Sequence, residues 1–288
     1  MNRILYISCY SAAGAFILSF VSTILVKGIA ERFGILSDPK KVRFYTGSSP
    51  LLGHIPLFLG FFIPFAVMFG LRIFADDYFY SLSELKKITS GLLFSSLFLL
   101  ISATCSDIRN DSGEFEWIYI IASSLLLYFF DIRFVVLKMP LIGDIDVQFW
   151  GLPLLVVWTL LVVSIVELLD FFEGIAGSVI AAISLVYFYL HLASGKQELY
   201  VTVLFATLGG AVMGMSPFLL RKKIIFGKSG NKIVGFLFAA GTIIARRKET
   251  TGQFILFPIA LILFFIVLVN FLFLESQLRP LSGSDNKQ

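Results

Sequence analysis

The chain has 288 residues, of which 58% are hydrophobic, 16% aromatic and only 15% charged, with 32 phenylalanines and a formal net charge of +4. Soluble domains run at roughly 45–50% apolar and about 25% charged residues, so this composition, with its mean hydropathy of +0.90, excludes a water-soluble enzyme, a disordered tail and a nucleic-acid binder. The two cysteines, Cys9 and Cys105, sit in or beside apolar runs and indicate neither a disulfide framework nor a metal knuckle. What remains is an integral membrane protein.

A bilayer is crossed by roughly 20 apolar residues. In chain order the uncharged runs are Ile4–Val26, Leu51–Leu71, Thr89–Cys105, Trp117–Phe130, Phe149–Val166, Ile175–Ala193, Leu199–Leu220, Ile233–Ala245 and Phe254–Leu274. Lipid offers no partner for open backbone groups, so each must be helical. The expectation is an all-α, polytopic helical bundle of about nine transmembrane helices, a single domain over residues 1–274 with a polar tail at 275–288. Trp117–Phe130 and Ile233–Ala245 are short and need flanking residues or local bilayer thinning. The first run is too long and too evenly apolar for a signal-peptide core and reads as an uncleaved helix. Between the fourth and fifth runs, Ile132–Phe149 alternates and contains Pro140 and Gly143, as a small extracytoplasmic hairpin would. Trp117 and Trp150 suit the membrane interface.

With nine spans, the segments Lys27–Pro50, Ser106–Glu116, Glu167–Gly174, Arg221–Lys232 and the tail share one side and carry 13 of the 23 Lys and Arg residues. The excess of basic residues turns this side toward the cytoplasm of a plasma (inner) membrane. The loops there have an unusual composition: Asp38-Pro39-Lys40-Lys41-Val42-Arg43 before Pro50-Leu51-Leu52-Gly53, then Ser106-Asp107-Ile108-Arg109, then Glu167 to Gly177, and last Phe226-Gly227-Lys228-Ser229-Gly230-Asn231. Glu167, Asp170 and Glu173 recur every third residue, which on a helix end aims neighbours at one place. Charges at membrane depth cost roughly 2.5–3.5 kcal/mol each and so mark functional candidates; a solvated turn would hold the same acids facing water, and both readings stay open. Gly227-Lys228-Ser229-Gly230 lacks the spacing of a nucleoside-triphosphate loop, although its glycines allow the backbone to approach an anion closely. His54 and His191 lie in apolar runs and read as hydrogen-bonded packing residues.

Taken in order, these four loops resemble those of the polyprenyl-phosphate N-acetylhexosamine-1-phosphate transferases of the MraY/WecA type. Asp38…Arg43…Pro50-Leu-Leu-Gly53 is similar to Asp-x-Pro-x-x-Arg followed by Pro-x-x-Gly-Gly. Ser106-Asp107 is similar to the family's Asp-Asp pair, Asp170-Phe-Phe-Glu173-Gly-Ile-Ala-Gly to Asp-Gly-x-Asp-Gly-Leu-Ala-Gly, and Phe226-Gly227-Lys228-Ser-Gly230-Asn231 to Met-Gly-Asp-x-Gly-Ser. The resemblance implies that a lipid phosphate attacks the β-phosphate of a UDP-sugar, releasing UMP and leaving a lipid-linked sugar diphosphate in envelope glycan synthesis. It implies Asp107, Asp170 and Glu173 as catalytic carboxylates, Asp107 and Asp170 as ligands of Mg²⁺, and Arg43, Lys228, Gly227 and Gly230 as phosphate contacts. Undecaprenyl phosphate, the UDP-sugar and membrane lipid are the implied partners, nucleic acid is not, and pairing of two copies stays open.

The departures fall on the chemistry. Ser106 replaces the first Asp of the pair, Glu167 stands where the family has Asn, Glu173 replaces Asp, and Lys228 replaces a magnesium-binding Asp. Five carboxylates become three with one ammonium added, a change from −5 to −2. Carboxylates about 5 Å apart repel by roughly 3 kcal/mol per pair at an effective dielectric near 20. The Lys228 ammonium is therefore expected to stand in for the metal beside Asp170, Glu173 or Asp107, unless it points into the cytoplasm with Arg221, Lys222 and Lys223. Two functions stay open, a divergent sugar-1-phosphate transferase and a catalytically inactive relative that binds lipid phosphate or a partner in the same pathway.

Overall fold

A computed structural model describes residues 2–36, 50, 52–76, 81–109, 116–134, 136–139, 143–147, 149–170, 175–193, 199–221, 224 and 227–246. The ninth apolar run, the tail, Arg43 and Glu173 lie outside these residues. Eight helices are described: α1 (Asn2–Phe33), α2 (His54–Gly70), α3 (Leu82–Arg109), α4 (Glu116–Phe129), α5 (Gly151–Asp170), α6 (Ile175–Ala193), α7 (Leu199–Leu220) and α8 (Gly227–Arg246). They form one compact unit. A two-stranded hairpin of β1 (Val136–Met139) and β2 (Gly143–Asp146) belongs almost wholly to a second unit and adds the small β element expected near Pro140. By length and composition, Arg3–Phe33, Leu82–Ser106, Gly151–Leu169 and Leu199–Leu220 can cross a membrane, and the other four helices are shorter apolar segments.

The layering follows from which faces are apolar. On α1, Tyr6, Tyr10, Ile17, Val21, Leu25 and Ile29 are exposed while Ser8, Ser11, Ser19 and Thr23 are buried, the inverse of a soluble amphipathic helix. Lipid is as apolar as leucine, so membrane helices associate through small residues and interhelical hydrogen bonds. Ser11 and Thr207 accordingly share a hydrogen bond of 2.6 Å between α1 and α7. A Cβ on Gly210 would meet the Ala12 carbonyl, and one on Gly214 the Phe16 carbonyl, so only glycine lets α1 and α7 approach this closely. Residues 199–212 of α7 and 229–245 of α8 are buried on every side, as expected of helices that are apolar all round. Ser124 and Thr159 join α4 to α5 at 2.7 Å, and Trp158 donates to Thr242 across α5 and α8 at 3.0 Å.

At one end of this unit, Lys87 on α3 pairs with Asp131 just after α4. Arg133 lies 3.5 Å from the same carboxylate and 5.2 Å above the Tyr128 ring. The other end carries the site.

Candidate functional site

Helix starts and ends decide what this end can do. The segments around Ser106 and Gly227 were expected to be loops, yet helix continues into both, and Glu167 to Asp170, read as either a helix end or a solvated turn, form a helix end. α3 runs through Ser106 and Asp107 to Arg109, α5 includes Glu167 and ends on Asp170, and α8 begins at Gly227 rather than near Ile233. Lys228, Gly230 and Lys232 are therefore helical. Gly227 and Gly230, expected to form an anion-cradling turn, instead lie in the first turn of α8.

That extension buries a residue the sequence assigned to a loop. Lys232 is only 5% exposed. Its ammonium donates to Glu116 in the first turn of α4 and lies 3.8 Å from Glu167 near the end of α5. Ser106 at the end of α3 donates to the other oxygen of Glu116 at 3.4 Å, and Ser229 on α8 donates to the Ala103 carbonyl of α3 at 3.2 Å. Four helix ends thus meet through charged and hydroxyl groups. The two carboxylates offset the ammonium's loss of hydration.

The first loop is anchored to the same end. Leu36 and Pro50 form an antiparallel bridge across it. Leu52 packs on Val26 and Ala30 of α1. Its φ of +74° is left-handed backbone that a bulky residue adopts only under constraint, and it turns the chain into α2. His54, fully buried at the start of α2, shares a 2.8 Å hydrogen bond with Thr104 on α3. His191 is likewise buried and bonds the Tyr187 carbonyl at 2.8 Å. Both histidines are packing residues, as their apolar runs suggested.

The register of α5 against α8 locates the remaining predicted residues. The helices run antiparallel: Trp158 bonds Thr242, a Cβ on Gly235 would lie 3.0 Å from Val163 Cα, and Glu167 faces Lys232. One further turn toward the helix ends sets position 170 level with position 228. Asp107 follows Ser106 directly on α3. The backbone therefore carries positions 107, 170 and 228 to the end where Glu116, Glu167 and Lys232 meet. Their side chains lie outside the described residues, and so do Arg43 and Glu173.

Sequence reasoning missed Glu116 and Lys232. Glu116 looked like a loop flank, and Lys232 like the last basic residue before a span. The available signal was a lysine in the second turn of a helix that starts at Gly227-Lys228, on the same face as Lys228 four residues earlier.

Mg²⁺ does not fit the described part of this site. No group of three His, Cys, Asp or Glu side chains is placed to hold a metal ion among the described residues. The two carboxylates that do converge, Glu116 and Glu167, have an ammonium between them, which a divalent cation would have to displace.

Comparison with known proteins bears on the family. A family model described as glycosyl transferase family 4 matches residues 57–246. The decaprenyl-phosphate N-acetylglucosaminephosphotransferase of Mycobacterium tuberculosis (strain CDC 1551 / Oshkosh) is 23% identical over 239 residues, 79% of this chain and 58% of that protein. Its namesake from Mycolicibacterium smegmatis is 22% identical over 239 residues, covering 79% of this chain and 57% of that protein. A probable undecaprenyl-phosphate N-acetylglucosaminyl 1-phosphate transferase of Bacillus subtilis is 23% identical over 264 residues, 86% of this chain and 67% of that protein. The chain spans a little under three-fifths of the length of the mycobacterial relatives. Four family-like loops in order, three of their helical flanks gathered at one end of the bundle with the first anchored beside them, and a family match over most of the helices lead to one conclusion: the chain belongs to glycosyl transferase family 4, the polyprenyl-phosphate N-acetylhexosamine-1-phosphate transferases of MraY/WecA type.

Proposed function

We propose that this protein moves an N-acetylhexosamine-1-phosphate from a UDP-sugar to a polyprenyl phosphate in cell-envelope glycan synthesis, working from the cytoplasmic face of the plasma membrane. Nine spans over residues 1–274 form its single domain, with 275–288 as a tail. The observation that carries the reading is the meeting of the α3, α4, α5 and α8 ends around Lys232. Those ends flank three of the loops that resemble the family's reaction loops. The relatives are named for decaprenyl or undecaprenyl phosphate and for N-acetylglucosamine, which supports a lipid-phosphate acceptor and a HexNAc donor.

The chain's own residues would act as follows. Two anions must approach, so positive charge is needed where their phosphates meet. Arg43 and Lys228 supply it, with Gly227 at the first residue of α8 adding the favourable field of a helix N-terminus. An oxygen of the lipid phosphate attacks the β-phosphorus and the bond to UMP breaks. Asp170 or Asp107 takes the proton released if the lipid phosphate enters as its monoanion, and Glu173, three residues after Asp170 in sequence, is the third carboxylate of the reaction.

A second reading, a catalytically inactive relative that holds lipid phosphate, is favoured by the ammonium lodged between Glu116 and Glu167 and by Lys228 in place of a metal-binding Asp. UMP release from membranes given undecaprenyl phosphate and a panel of UDP-HexNAc donors separates the two. Turnover in the native protein that falls at least a hundredfold in Asp170→Asn is the result expected. Absence of turnover with every donor, together with activity gained in Lys228→Asp/Ser106→Asp, would establish the inactive reading instead.

A further inference from the structure

Lys232 is the feature that neither the family resemblance nor the relatives' names explain. It is 5% exposed in the second turn of α8. It is held by Glu116 from α4 and Glu167 from α5, and Ser106 completes the shell by donating to Glu116. These four side chains come from four helices, so the ammonium joins parts that have no other shared charged group among the described residues. Without it, Glu116, whose side chain is 14% exposed, would lose the ammonium set against it in a setting where an uncompensated carboxylate is strongly disfavoured. A divalent cation could satisfy the same carboxylate, but the chain already provides a charge there.

We propose that the Lys232 ammonium is a built-in counter-ion that does the assembling work of a divalent cation at this end of the bundle, so that the site is formed without Mg²⁺. Glu116 and Glu167 are positioning residues in this arrangement: they seat Lys232, which draws the starts of α4 and α8 and the end of α5 together and sets position 228 level with position 170. This inference deepens the reading of the site as an anionic-lipid site and rests on it for its functional meaning, but its physical content concerns the protein alone.

The test is therefore made without lipid or nucleotide. Purified full-length protein in detergent is melted in EDTA and in millimolar Mg²⁺ or Mn²⁺. The native protein is expected to melt at the same temperature in all three. Lys232→Met, which keeps the side-chain length and removes the charge, is expected to melt roughly 10 °C lower in EDTA, because breaking the buried pair with Glu116 leaves that carboxylate uncompensated, and to regain at least half of that loss with Mg²⁺ or Mn²⁺. Lys232→Met/Glu116→Gln/Glu167→Gln is expected to melt near the native temperature with no response to either cation. Should Lys232→Met fail to accumulate, Mn²⁺ titration of the native protein followed by electron paramagnetic resonance decides the matter. No saturable binding below about 100 µM supports the built-in counter-ion, and saturable binding overturns it. A Lys232→Met protein with the native melting temperature in EDTA overturns it as well. Failure of the lipid-site reading would show separately, as a native protein that follows this melting pattern yet binds no polyprenyl phosphate.

Discussion

Gly235 tests whether α5 and α8 are registered as described, and with them the whole site. A Cβ added there would sit 3.0 Å from the Val163 Cα and 3.3 Å from a methyl group of each of Val163 and Val166. The nearest of these is backbone, which cannot swing aside. Gly235→Ala gains helix propensity of about 1 kcal/mol but incurs overpacking of about 1–3 kcal/mol, leaving a net loss near 1 kcal/mol. Gly235→Leu has no room in any rotamer and should cost about 3 kcal/mol or more, prising α8 from α5 and drawing Lys232 away from Glu167. Gly28 on α1 is the internal control, because nothing lies within 4 Å of a Cβ built there, so Gly28→Ala should gain about 0.5–1 kcal/mol. Thermal unfolding in detergent should rank the proteins Gly28→Ala, native, Gly235→Ala, Gly235→Leu. The outer single-methyl variants should differ by about 5 °C. If Gly235→Leu melts like the native protein, α5 and α8 do not meet at this register, and the placement of positions 170 and 228 fails with it.

Two further substitutions probe the frame around the site. Gly210→Leu and Gly214→Leu each drive a side chain into the α1 backbone; both proteins should be lost from the monodisperse fraction in fluorescence-detected size exclusion, and native-like elution would contradict the close α1–α7 approach. His54→Phe and Thr104→Val each break the 2.8 Å bond between α2 and α3. Each should cost about 1–2 kcal/mol, while the double substitution should cost clearly less than the two added together; full additivity would mean that the two groups do not interact.

The helices were legible because the membrane leaves a segment so few alternatives. α6 and α7 coincide with their apolar runs, α2 and α5 differ by a few residues at their ends, and α1 continues seven residues past its run to Phe33. The errors lie where polar residues continue a helix. α8 begins six residues before its apolar run because Gly227 to Lys232 extend it through the Lys232 ion pairs and the Ser229 hydrogen bond rather than through lipid burial, a contribution that hydropathy does not register. The same bias hid the Glu116–Lys232–Glu167 cluster: pairing of Lys232 with Glu116, 116 residues away in sequence, depends on how α4 and α8 pack. The expectation that an ammonium would replace a metal came from Lys228, whereas the pair the structure displays is one turn deeper, at Lys232. The four loops could be recognised by their order and residue types, but their convergence needed the helix packing.

Binding of undecaprenyl phosphate to the purified protein, measured once in EDTA and once in Mg²⁺, goes most directly to the central point. A site assembled by its own lysine should bind the lipid in both conditions with dissociation constants within about threefold of each other, the difference corresponding to less than about 1 kcal/mol. Binding that vanishes in EDTA and returns with Mg²⁺ would show that a metal, and not Lys232, holds this end of the bundle ready for its lipid.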